Sequence, residues 1–402
     1  MRKIKMGILG IHRGLAYGEV YASLTEEISG LAICETDPEY IEKAKEVLPD
    51  WVEYYTDYEE FLNSGIEAVV LCNFFHEHAK YAIPALKKGI AVLSETTPAP
   101  TLGECVQLCE AVEEGGAKYM LGANVPHKFG ARELERLYKE GTFGEVIYAE
   151  GEYFHGVEPG QGQIVGSSKT KYHWRRWLPV TYYNMHDFGT LMNATGLMPK
   201  KVNAKAIFFP KFKARYPEYQ TGDAMSVILT EMENGSIFRT TSHNALGPEG
   251  KWFRLVCENG TIETVRANEE SIKYEYNPWD KPEGAKLVDI YDTRPEDIDW
   301  DELVKKHGGA DIEIAKAFLK YLRDEIEPFF DVYRSVAVSA VGILAWRSAL
   351  EGGKEMEVPD FRDPASRAKV ADDFLTPIPN MEDGSGITLP CSSKPYKALT
   401  EE

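Results

Sequence analysis

Short apolar runs and longer amphipathic segments alternate along the amino-terminal third of the chain. The run Ala68-Val-Val-Leu-Cys72 is apolar throughout, which is typical of a parallel strand covered on both faces. Helix signals separate such runs: Asp37-Pro38 can cap and start one helix, and Gly115-Gly116 can end another. Strands are predicted at residues 5–9, 30–34, 68–72, 90–93 and 118–121. This alternation predicts a right-handed, doubly wound α/β domain.

The middle of the chain changes to alternating apolar and polar positions. Two Asn-Gly dipeptides, in Glu233-Asn-Gly-Ser236 and Glu258-Asn-Gly-Thr261, are typical of tight hairpins because they tolerate positive φ angles. Strands are predicted near residues 146–154, 202–209, 224–232, 236–242, 252–257, 261–266 and 271–276. Helical patterns follow at residues 311–325 and 332–351. We therefore predict a second α/β domain with a large, mostly antiparallel open sheet.

The predicted organisation is a Rossmann domain over residues 1–123, the second α/β domain over 124–375 and an irregular tail over 376–402. A chain of 402 residues is too long for one ordinary core, which favours two domains. No apolar run approaches the roughly 20 residues of a membrane span, and the amino end does not resemble a signal peptide.

Charge and cysteine usage narrow the choice of partners and compartment. Lys plus Arg number 45 against 64 Asp plus Glu, a net charge of −19. This sign argues against nucleic acid or an anionic membrane as a partner. The six cysteines are scattered, and Cys105 and Cys109 are interpreted as a buried helix face rather than a metal pair. We expect a cytoplasmic protein with reduced thiols.

The first strand is followed by a loop that could hold a dinucleotide. In Gly7-Ile-Leu-Gly-Ile-His-Arg-Gly14, a glycine turn leads from a strand into a helix, and the helix start can donate N–H groups to a pyrophosphate. His12 stands at the middle glycine of the usual motif, so a tight turn without a ligand is the alternative interpretation. The predicted binding residues are Gly10, Ile11, His12, Arg13 and Gly14.

An acid at the end of the second strand supports the cofactor interpretation. From Gly14 to Glu35 is 35 − 14 = 21 residues, the spacing of the acid that binds the adenosine ribose diol. Glu35 would repel a 2′-phosphate, and no arginine follows at once to bind one. The sequence therefore favours NAD over NADP.

Several further segments together resemble the glucose–fructose oxidoreductase, inositol dehydrogenase and MocA family. They are Asn73-Phe-Phe-His-Glu-His78, Glu95-Thr-Thr-Pro98, Tyr119-Met-Leu-Gly-Ala-Asn124 and Gly141-Thr-Phe-Gly-Glu-Val146, and their order and spacing cover nearly the whole chain. The resemblance implies hydride transfer between a nicotinamide and a sugar or polyol. It also implies a homodimer or homotetramer and adds cofactor-binding residues: Asn73, His76, His78, Glu95 and Asn124. A zinc pair at His76 and His78 is the alternative, but no third ligand is evident, so no metal is predicted.

Thr96 departs from the family pattern. The family lysine of its Glu-Lys-Pro motif aligns with Thr96, and that lysine stabilises the alkoxide as hydride leaves the carbon. Threonine can donate a hydrogen bond but brings no charge. The ordinary dehydrogenase mechanism therefore lacks one part, and a nicotinamide-binding protein without catalysis is one alternative.

The second domain resembles one branch of the family, the NAD-dependent glycosidases of the α-N-acetylgalactosaminidase type. Four segments carry this resemblance: Tyr172-His-Trp-Arg-Arg-Trp177, the Tyr-x-x-His segment of Tyr183 and His186, His307-Gly-Gly-Ala-Asp311 and Pro328-Phe-Phe-Asp-Val-Tyr333. His186 aligns with the family's catalytic histidine, and a histidine's ordinary pKa of about 6.5 suits general base catalysis. Tyr183 matches the glycosidase tyrosine, and on a helix it would share a face with His186.

The aromatic and cationic segment before His186 is interpreted as a sugar platform or, equally, as a packed corner. The predicted substrate-binding residues are His173, Trp174, Arg175, Arg176, Tyr182 and Tyr183. Asp311 could be a helix cap as easily as a site residue.

The branch resemblance implies that a sugar C3 hydroxyl is oxidised, the C2 proton is removed, the C1 leaving group is eliminated, water adds and C3 is reduced again. His186, Tyr183 and Thr96 are the predicted catalytic residues. A conventional NAD-dependent sugar dehydrogenase with net oxidation is the other alternative.

Overall fold

The computed structural model describes residues 2–156, 172–211, 219–244, 249–295 and 307–395. The chain folds into two compact units. The first comprises Met1–Ala99, Gly103–His127 and Asp297–Val336, and the second comprises the rest. The first unit therefore includes a late segment, around residues 307–336, which the sequence analysis assigned to the second domain.

The first unit is built on a parallel sheet of six strands in the order β3-β2-β1-β4-β5-β6. The strands are β1 Ile4–Leu9, β2 Ile28–Cys34, β3 Glu53–Tyr55, β4 Ala68–Leu71, β5 Ala91–Glu95 and β6 Tyr119–Gly122. Its order reverses at β1 and β4, and in open α/β sheets ligands bind at the carboxyl ends of strands beside such a reversal. The predicted Rossmann fold is confirmed, and only the short edge strand β3 was missed.

Helices connect the strands and cover the sheet. They are α1 Ile11–Ser23, α2 Pro38–Val47, α3 Tyr58–Leu62, α4 His78–Lys87 and α5 Leu102–Gly115. The predicted caps Asp37 and Asp57 accept backbone N–H groups at the starts of α2 and α3, at 3.0 and 2.8 Å. These side chains satisfy helix N–H groups that have no partner within the helix.

A helix from late in the chain completes the core of this unit. In α8, Ala310–Leu322, the buried side chains Ile314, Phe318 and Leu319 join the same apolar cluster as Ile8 and Tyr17. The packing of α8 on α1 thus brings a late part of the chain to the first helix of the Rossmann sheet.

The second unit is built on nine described strands in the order β14-β13-β12-β11-β7-β10-β9-β8-β15. They are β7 Val146–His155, β8 Pro199–Phe208, β9 Asp223–Met232, β10 Ile237–Asn244, β11 Gly250–Cys257, β12 Gly260–Val265, β13 Asn268–Tyr276, β14 Val288–Asp292 and β15 Met356–Glu357. Only β7 and β10 pair in parallel among them, which confirms the mostly antiparallel sheet.

Glycine is required for different structural reasons in the two Asn-Gly dipeptides. Gly235 has a φ of +85° in the β9–β10 hairpin, as predicted. Gly260 is not among the residues with positive φ, but a Cβ there would lie 2.2 Å from the backbone oxygen of Glu275. The second glycine is therefore required by the close approach of β13 and not by a left-handed turn.

The remaining described helices of the chain are α6 Phe129–Lys139, α7 Phe188–Thr195, α9 Val332–Leu350 and α10 Pro364–Ala368. Neither α6 nor α7 was predicted, whereas α9 matches its predicted range within one residue. No helix in the described part of the chain is long and apolar enough to cross a membrane.

The tail after α10 is irregular but fastened to the second unit. Trp346 Nε1 donates to the backbone oxygen of Pro390 at 2.9 Å, and Ser393 N donates to Asp223 at 2.7 Å. Cys391 donates to the backbone oxygen of Gln220 at 3.4 Å. The tail therefore lacks regular secondary structure, as predicted, but hydrogen bonds hold its described residues against the second unit.

Asp187 at the start of α7 gives a prediction about pH and stability. One carboxylate oxygen accepts the Phe188 N–H at 2.7 Å, the other is buried without a partner among the described residues, and burial raises the Asp187 pKa to about 7. Because the folded protein binds this proton more tightly than the unfolded chain, stability should fall between about pH 4 and pH 7, by up to about 1.4 kcal/mol per pH unit.

Asp187→Asn keeps a capping oxygen but removes the ionisation. Urea unfolding of both proteins at several pH values should show the wild type losing stability relative to the variant as the pH rises through this window. Parallel pH curves for the two proteins would contradict the prediction.

Candidate functional site

The turn after β1 has the compact geometry of a phosphate-binding loop. Gly10 has a φ of +83°, and a Cβ there would lie 2.8 Å from the backbone nitrogen of Asn73. A Cβ on Gly14 would lie 2.6 Å from a methyl group of Ile8. Since α1 begins at Ile11, the loop leads directly into a helix start, where backbone N–H groups can bind a phosphate. Both glycines are thus required by contacts within the first unit.

His12, which replaces the usual middle glycine, does not disrupt this loop. It lies within α1, and its ring contacts Tyr40 of α2 edge-on with the ring centroids 5.1 Å apart. The side chain packs against the neighbouring helix, so the backbone of the turn keeps its shape.

Glu35 lies directly after β2, beside the start of α1. Its carboxylate accepts backbone N–H groups from Ile11 at 3.0 Å, Thr36 at 2.7 Å and Asp37 at 3.0 Å. These bonds fix the acid next to the loop, as expected for the residue predicted to bind a ribose diol. The loop glycines, the helix start and this acid together fit a dinucleotide.

Arg13 connects three parts of the first unit. Its Nε donates to Glu95 at the end of β5 at 3.0 Å, and its two terminal nitrogens donate to Asp311 in α8 at 3.1 and 2.8 Å. His307 Nδ1 lies 2.9 Å from the same Asp311 carboxylate. Burial opposes ionisation of Asp311, but the hydrogen bond from His307 and the charge of Arg13 outweigh it and lower its pKa.

The structure rejects the interpretation of Asp311 as a helix cap. The cap of α8 is Gly309, with a φ of +89°, and Asp311 lies in the first turn of the helix with its side chain fully buried. Asp311 is therefore not a helix cap but the buried counter-ion of Arg13. Its partner lies 298 positions away, a contact that no local sequence pattern indicates.

Thr96, where the family lysine is expected, has an unusual backbone conformation. Its φ is +58°, in the left-handed region, which is a genuine outlier for a β-branched residue. Such strain costs on the order of 1–3 kcal/mol and is kept where the surroundings enforce it, often at functional sites. Glu95 precedes it and is fixed by Arg13, so one side of the strained residue is anchored.

The other predicted cofactor residues cluster at the carboxyl ends of β4 and β6, with different roles. His78 is fully buried and uses both ring nitrogens within the protein, Nε2 with the backbone oxygen of Asn73 at 3.1 Å and Nδ1 with that of Thr97 at 3.2 Å. Burial lowers the His78 pKa. His76 packs against the ring of Phe74, with centroids 6.3 Å apart.

Two amide oxygens of the first unit are buried without a partner among the described residues. They are Oδ1 of Asn73, after β4, and Oδ1 of Asn124, after β6. Buried acceptors are normally satisfied, so such atoms are typical of a site that awaits a ligand. No group of three metal-ligating side chains was found in the described ranges.

In the second unit, His186 lies within a group of aromatic rings. Its ring stacks on Tyr153 of β7 with centroids 4.3 Å apart, and the Tyr183 ring centroid is 5.1 Å away. The expected convergence of His186 and Tyr183 is therefore present. The expected helix is not, because Tyr183 ends a short 3-10 turn and α7 begins only at Phe188.

The predicted sugar platform lies beside this cluster. Arg175 extends over the ring of Trp174, with its guanidinium carbon 4.5 Å from the centroid, and donates to the Tyr183 hydroxyl at 3.4 Å. His173 caps the 3-10 turn Trp174–Arg176, and burial followed by the neighbouring arginines lowers its pKa to about 4. The platform is therefore cationic through its arginines and not through His173.

Tyr182 and Arg176 have more structural positions. The Tyr182 ring is fully buried, and the backbone oxygen of Arg176 accepts from Gln220 at 2.6 Å. Gln220 is the residue that also binds Cys391 of the tail.

Two further residues of this cluster, Tyr153 and Lys251, were not predicted from the sequence. They are directly opposite each other on β7 and β11, and Lys251 Nζ lies 5.9 Å from the Tyr153 ring centroid. Burial and the charge of Lys128 lower the Lys251 pKa. Alternation along β7 could have placed Tyr153 on the same face as Gly151, but not beside His186.

Family models match both parts of the chain. Residues 4–123 match the oxidoreductase family with an NAD-binding Rossmann fold, and residues 193–366 match the glycosyl hydrolase 109 C-terminal domain. Curated relatives include a glycosyl hydrolase family 109 protein 1 of Shewanella sp. strain MR-4, 25% identical over 401 residues, and an alpha-N-acetylgalactosaminidase of Shewanella oneidensis, 24% identical. In both cases 90% of this chain and 85% of the relative are covered.

Solved structures share the fold at low identity. A levoglucosan dehydrogenase in complex with NADH and levoglucosan has a TM-score of 0.73 and 15% identity, covering 89% of this chain and 100% of that one. A UDP-N-acetylglucosamine 3-dehydrogenase from Acidithiobacillus ferrooxidans has a TM-score of 0.65 and 16% identity, covering 87% and 98%.

NAD is thus the cofactor, as predicted, and the chain is an NAD-dependent enzyme of the sugar oxidoreductase or glycosidase type. The chain combines an NAD-binding domain of the glucose–fructose oxidoreductase, inositol dehydrogenase and MocA family with a C-terminal domain of glycosyl hydrolase family 109. The predicted family and its branch are thus confirmed.

Proposed function

We propose that this protein hydrolyses a glycoside by a redox route in which NAD is used and regenerated within each turnover. The observation that carries the proposal is the pairing of His186 and Tyr183, whose rings lie 5.1 Å apart, in a chain with threonine at the position of the family lysine. Two groups able to exchange protons are needed for this route, whereas a simple dehydrogenase needs one and usually has the lysine.

The cofactor would be held by the residues at the carboxyl edge of the first unit's sheet. We assign the loop from Gly10 to Gly14 to the pyrophosphate, Glu35 to the adenosine ribose, and Asn73, Glu95 and Asn124 to the nicotinamide end. His76 is assigned to the same edge, while His78 would act through its bonds to the ends of β4 and β5. When bound, NAD supplies a hydride acceptor and later a hydride donor.

His186 would act on the C3 hydroxyl of the sugar. Its imidazole accepts the hydroxyl proton as hydride leaves C3, so that the carbon becomes a ketone. In the last step the imidazolium returns this proton to the C3 oxygen as hydride comes back. The stacked ring of Tyr153 would hold the imidazole in one orientation, since it lies 4.3 Å from it.

Tyr183 would act at C2, whose hydrogen the neighbouring ketone makes acidic. The deprotonated Tyr183 oxygen accepts the C2 proton, the freed electron pair forms a C1–C2 double bond, and the bond from C1 to the leaving group breaks. The departing oxygen then takes this proton from Tyr183 and leaves as an alcohol. Water then adds its oxygen to C1 and a proton to C2. The sum is glycoside plus water giving free sugar plus alcohol, without net oxidation.

One experiment separates this function from its alternatives. Purified protein is tested for bound NAD and given para-nitrophenyl glycosides of several sugars in both anomeric forms, while nitrophenol release and reduced nicotinamide are followed together. Nitrophenol formed over many turnovers without added NAD supports the proposal. Stoichiometric accumulation of reduced nicotinamide without nitrophenol would indicate a net dehydrogenase, and no change with any glycoside would indicate a binding protein.

Variants of the two proposed proton carriers should fail at different steps. His186→Ala should lower both hydride transfer and nitrophenol release by about 10²- to 10⁴-fold, the usual contribution of a general base. Tyr183→Phe should still oxidise C3 but stop before elimination, so reduced nicotinamide should accumulate on adding glycoside. NAD binding, measured by fluorescence titration, should change by no more than a few fold in either variant; its loss in His186→Ala would show that His186 is structural.

Replacing Thr96 tests the missing lysine. In Thr96→Lys the restored ammonium should stabilise an alkoxide at the oxidised carbon, so the rate of net dehydrogenation should rise relative to wild type. Thr96→Gln, of similar length but uncharged, is the matched control and should not show the gain. Equal rates for the two variants would show that charge at residue 96 has no part in the chemistry.

A further inference from the structure

Arg175 lies in an unusual environment for a charged side chain. It is partly buried, with its guanidinium carbon 4.5 Å from the Trp174 ring centroid and 5.8 Å from that of Tyr183. Its only side-chain hydrogen bond among the described residues goes to the Tyr183 hydroxyl, at 3.4 Å. The Tyr219 and Tyr153 phenols and the His173 ring are also close enough to interact with its charge. All of these neighbours are neutral in their ordinary state.

Several other partly buried arginines of the described chain have carboxylate partners. Arg13 is bound by Asp311 and Glu95, and Arg347 by Asp373. Arg175 forms no ion pair in the described part of the chain. Because a charge removed from water without a counter-ion is costly, this arrangement is typical of a site where a ligand provides the opposite charge.

The second cation of the cluster already has its counter-ion. Lys251, beside Tyr153, lies 3.5 Å from the carboxylate of Glu269, which also binds Lys128. Its charge is therefore compensated within the protein, whereas no carboxylate among the described residues pairs with Arg175.

The position of Arg175 relative to His186 limits what that anion can be. Arg175 contacts Tyr183, and the Tyr183 ring lies 5.1 Å from the His186 ring, so one tyrosine separates the two side chains. A single pyranose ring with an acidic group can contact both. The chain's net charge of −19 disfavours a multiply charged ligand, and the planar guanidinium fork matches the two oxygens of a carboxylate.

We propose that the substrate is the glycoside of a uronic acid and that Arg175 binds its carboxylate while His186 acts on the ring. This inference rests on the proposed function, because it takes His186 as the residue that meets the sugar. Arg175 becomes the residue that selects acidic over neutral sugars. Tyr183 would then lie between the substrate and the Arg175 guanidinium, which donates to its hydroxyl.

Matched substrate pairs test the inference. Para-nitrophenyl glucuronide is compared with the glucoside, and the galacturonide with the galactoside, in both anomeric forms, and a sugar sulfate ester is included as a second anion. Nitrophenol release is measured, and binding of the free uronic acids and of glucose and galactose is measured separately by calorimetry. For the configuration that fits, the uronide should be preferred over its neutral partner by about ten- to a hundredfold, as expected for a charge-assisted hydrogen bond.

Variants identify the residue responsible. Arg175→Gln should abolish the preference, because cleavage and binding of the uronide should fall far more than those of its neutral partner, and Arg175→Lys should restore part of it. Arg266→Gln is the matched control, because Arg266 also lies over a tryptophan ring, 3.9 Å from the Trp252 centroid, but is paired with Glu152. It should keep the wild-type preference.

The outcomes separate this inference from the proposed function. Glycoside cleavage without preference for acids, or equal loss on both members of a pair in Arg175→Gln, overturns the inference and leaves the function standing. Arg175-dependent binding of a uronic acid without any cleavage supports the inference and rejects the hydrolytic function. Preference for the sulfate ester over the uronide, or no acid binding at all, overturns the assignment of a carboxylate.

Discussion

The first unit depends on the charge of Arg13, which ties the phosphate loop to two distant segments. One carboxylate comes from the end of β5 and the other from α8, and both reach the same guanidinium. Removing Arg13 would take the guanidinium away from two mostly buried carboxylates, which is more costly than losing a surface ion pair. The loop, the strand end with Thr96 and the late helix are therefore fixed as one body. This explains how a β-branched residue can be held at a φ of +58°.

In the second unit the proposed chemistry depends on aromatic packing more than on ion pairs. His186 is oriented by rings, and Tyr183 lies between it and the cation of Arg175. Rings lose little conformational freedom when buried, and they exclude water from the groups beside them. Such a site suits proton transfers to carbon and oxygen, which need accurate placement and weak acids or bases rather than strong charges.

Much of the fold could be predicted because its signals are local. Each described strand of at least four residues except β14 has a predicted counterpart, and the acid at Glu35 and the glycines at Gly10 and Gly14 lie where spacing puts them. The missed strands β3 and β15 are too short for a periodic pattern. The site was only partly predictable: convergence of Tyr183 and His186 follows from their separation of three residues, even though the expected helix was replaced by a turn.

Contacts across large sequence distances could not be predicted in the same way. Nothing near Arg13 indicates that its partner is Asp311, and nothing near His186 indicates Tyr153 on β7.

The packing of α8 on the Rossmann core also affects the order in which the domain can be completed during synthesis. The ribosome releases Ile314 and Phe318 long after the six strands of the first sheet, so the nascent domain carries an uncovered apolar surface until that later segment emerges. An isolated fragment of residues 1–123 would expose that surface permanently, because the cofactor domain is built from two widely separated parts of the chain.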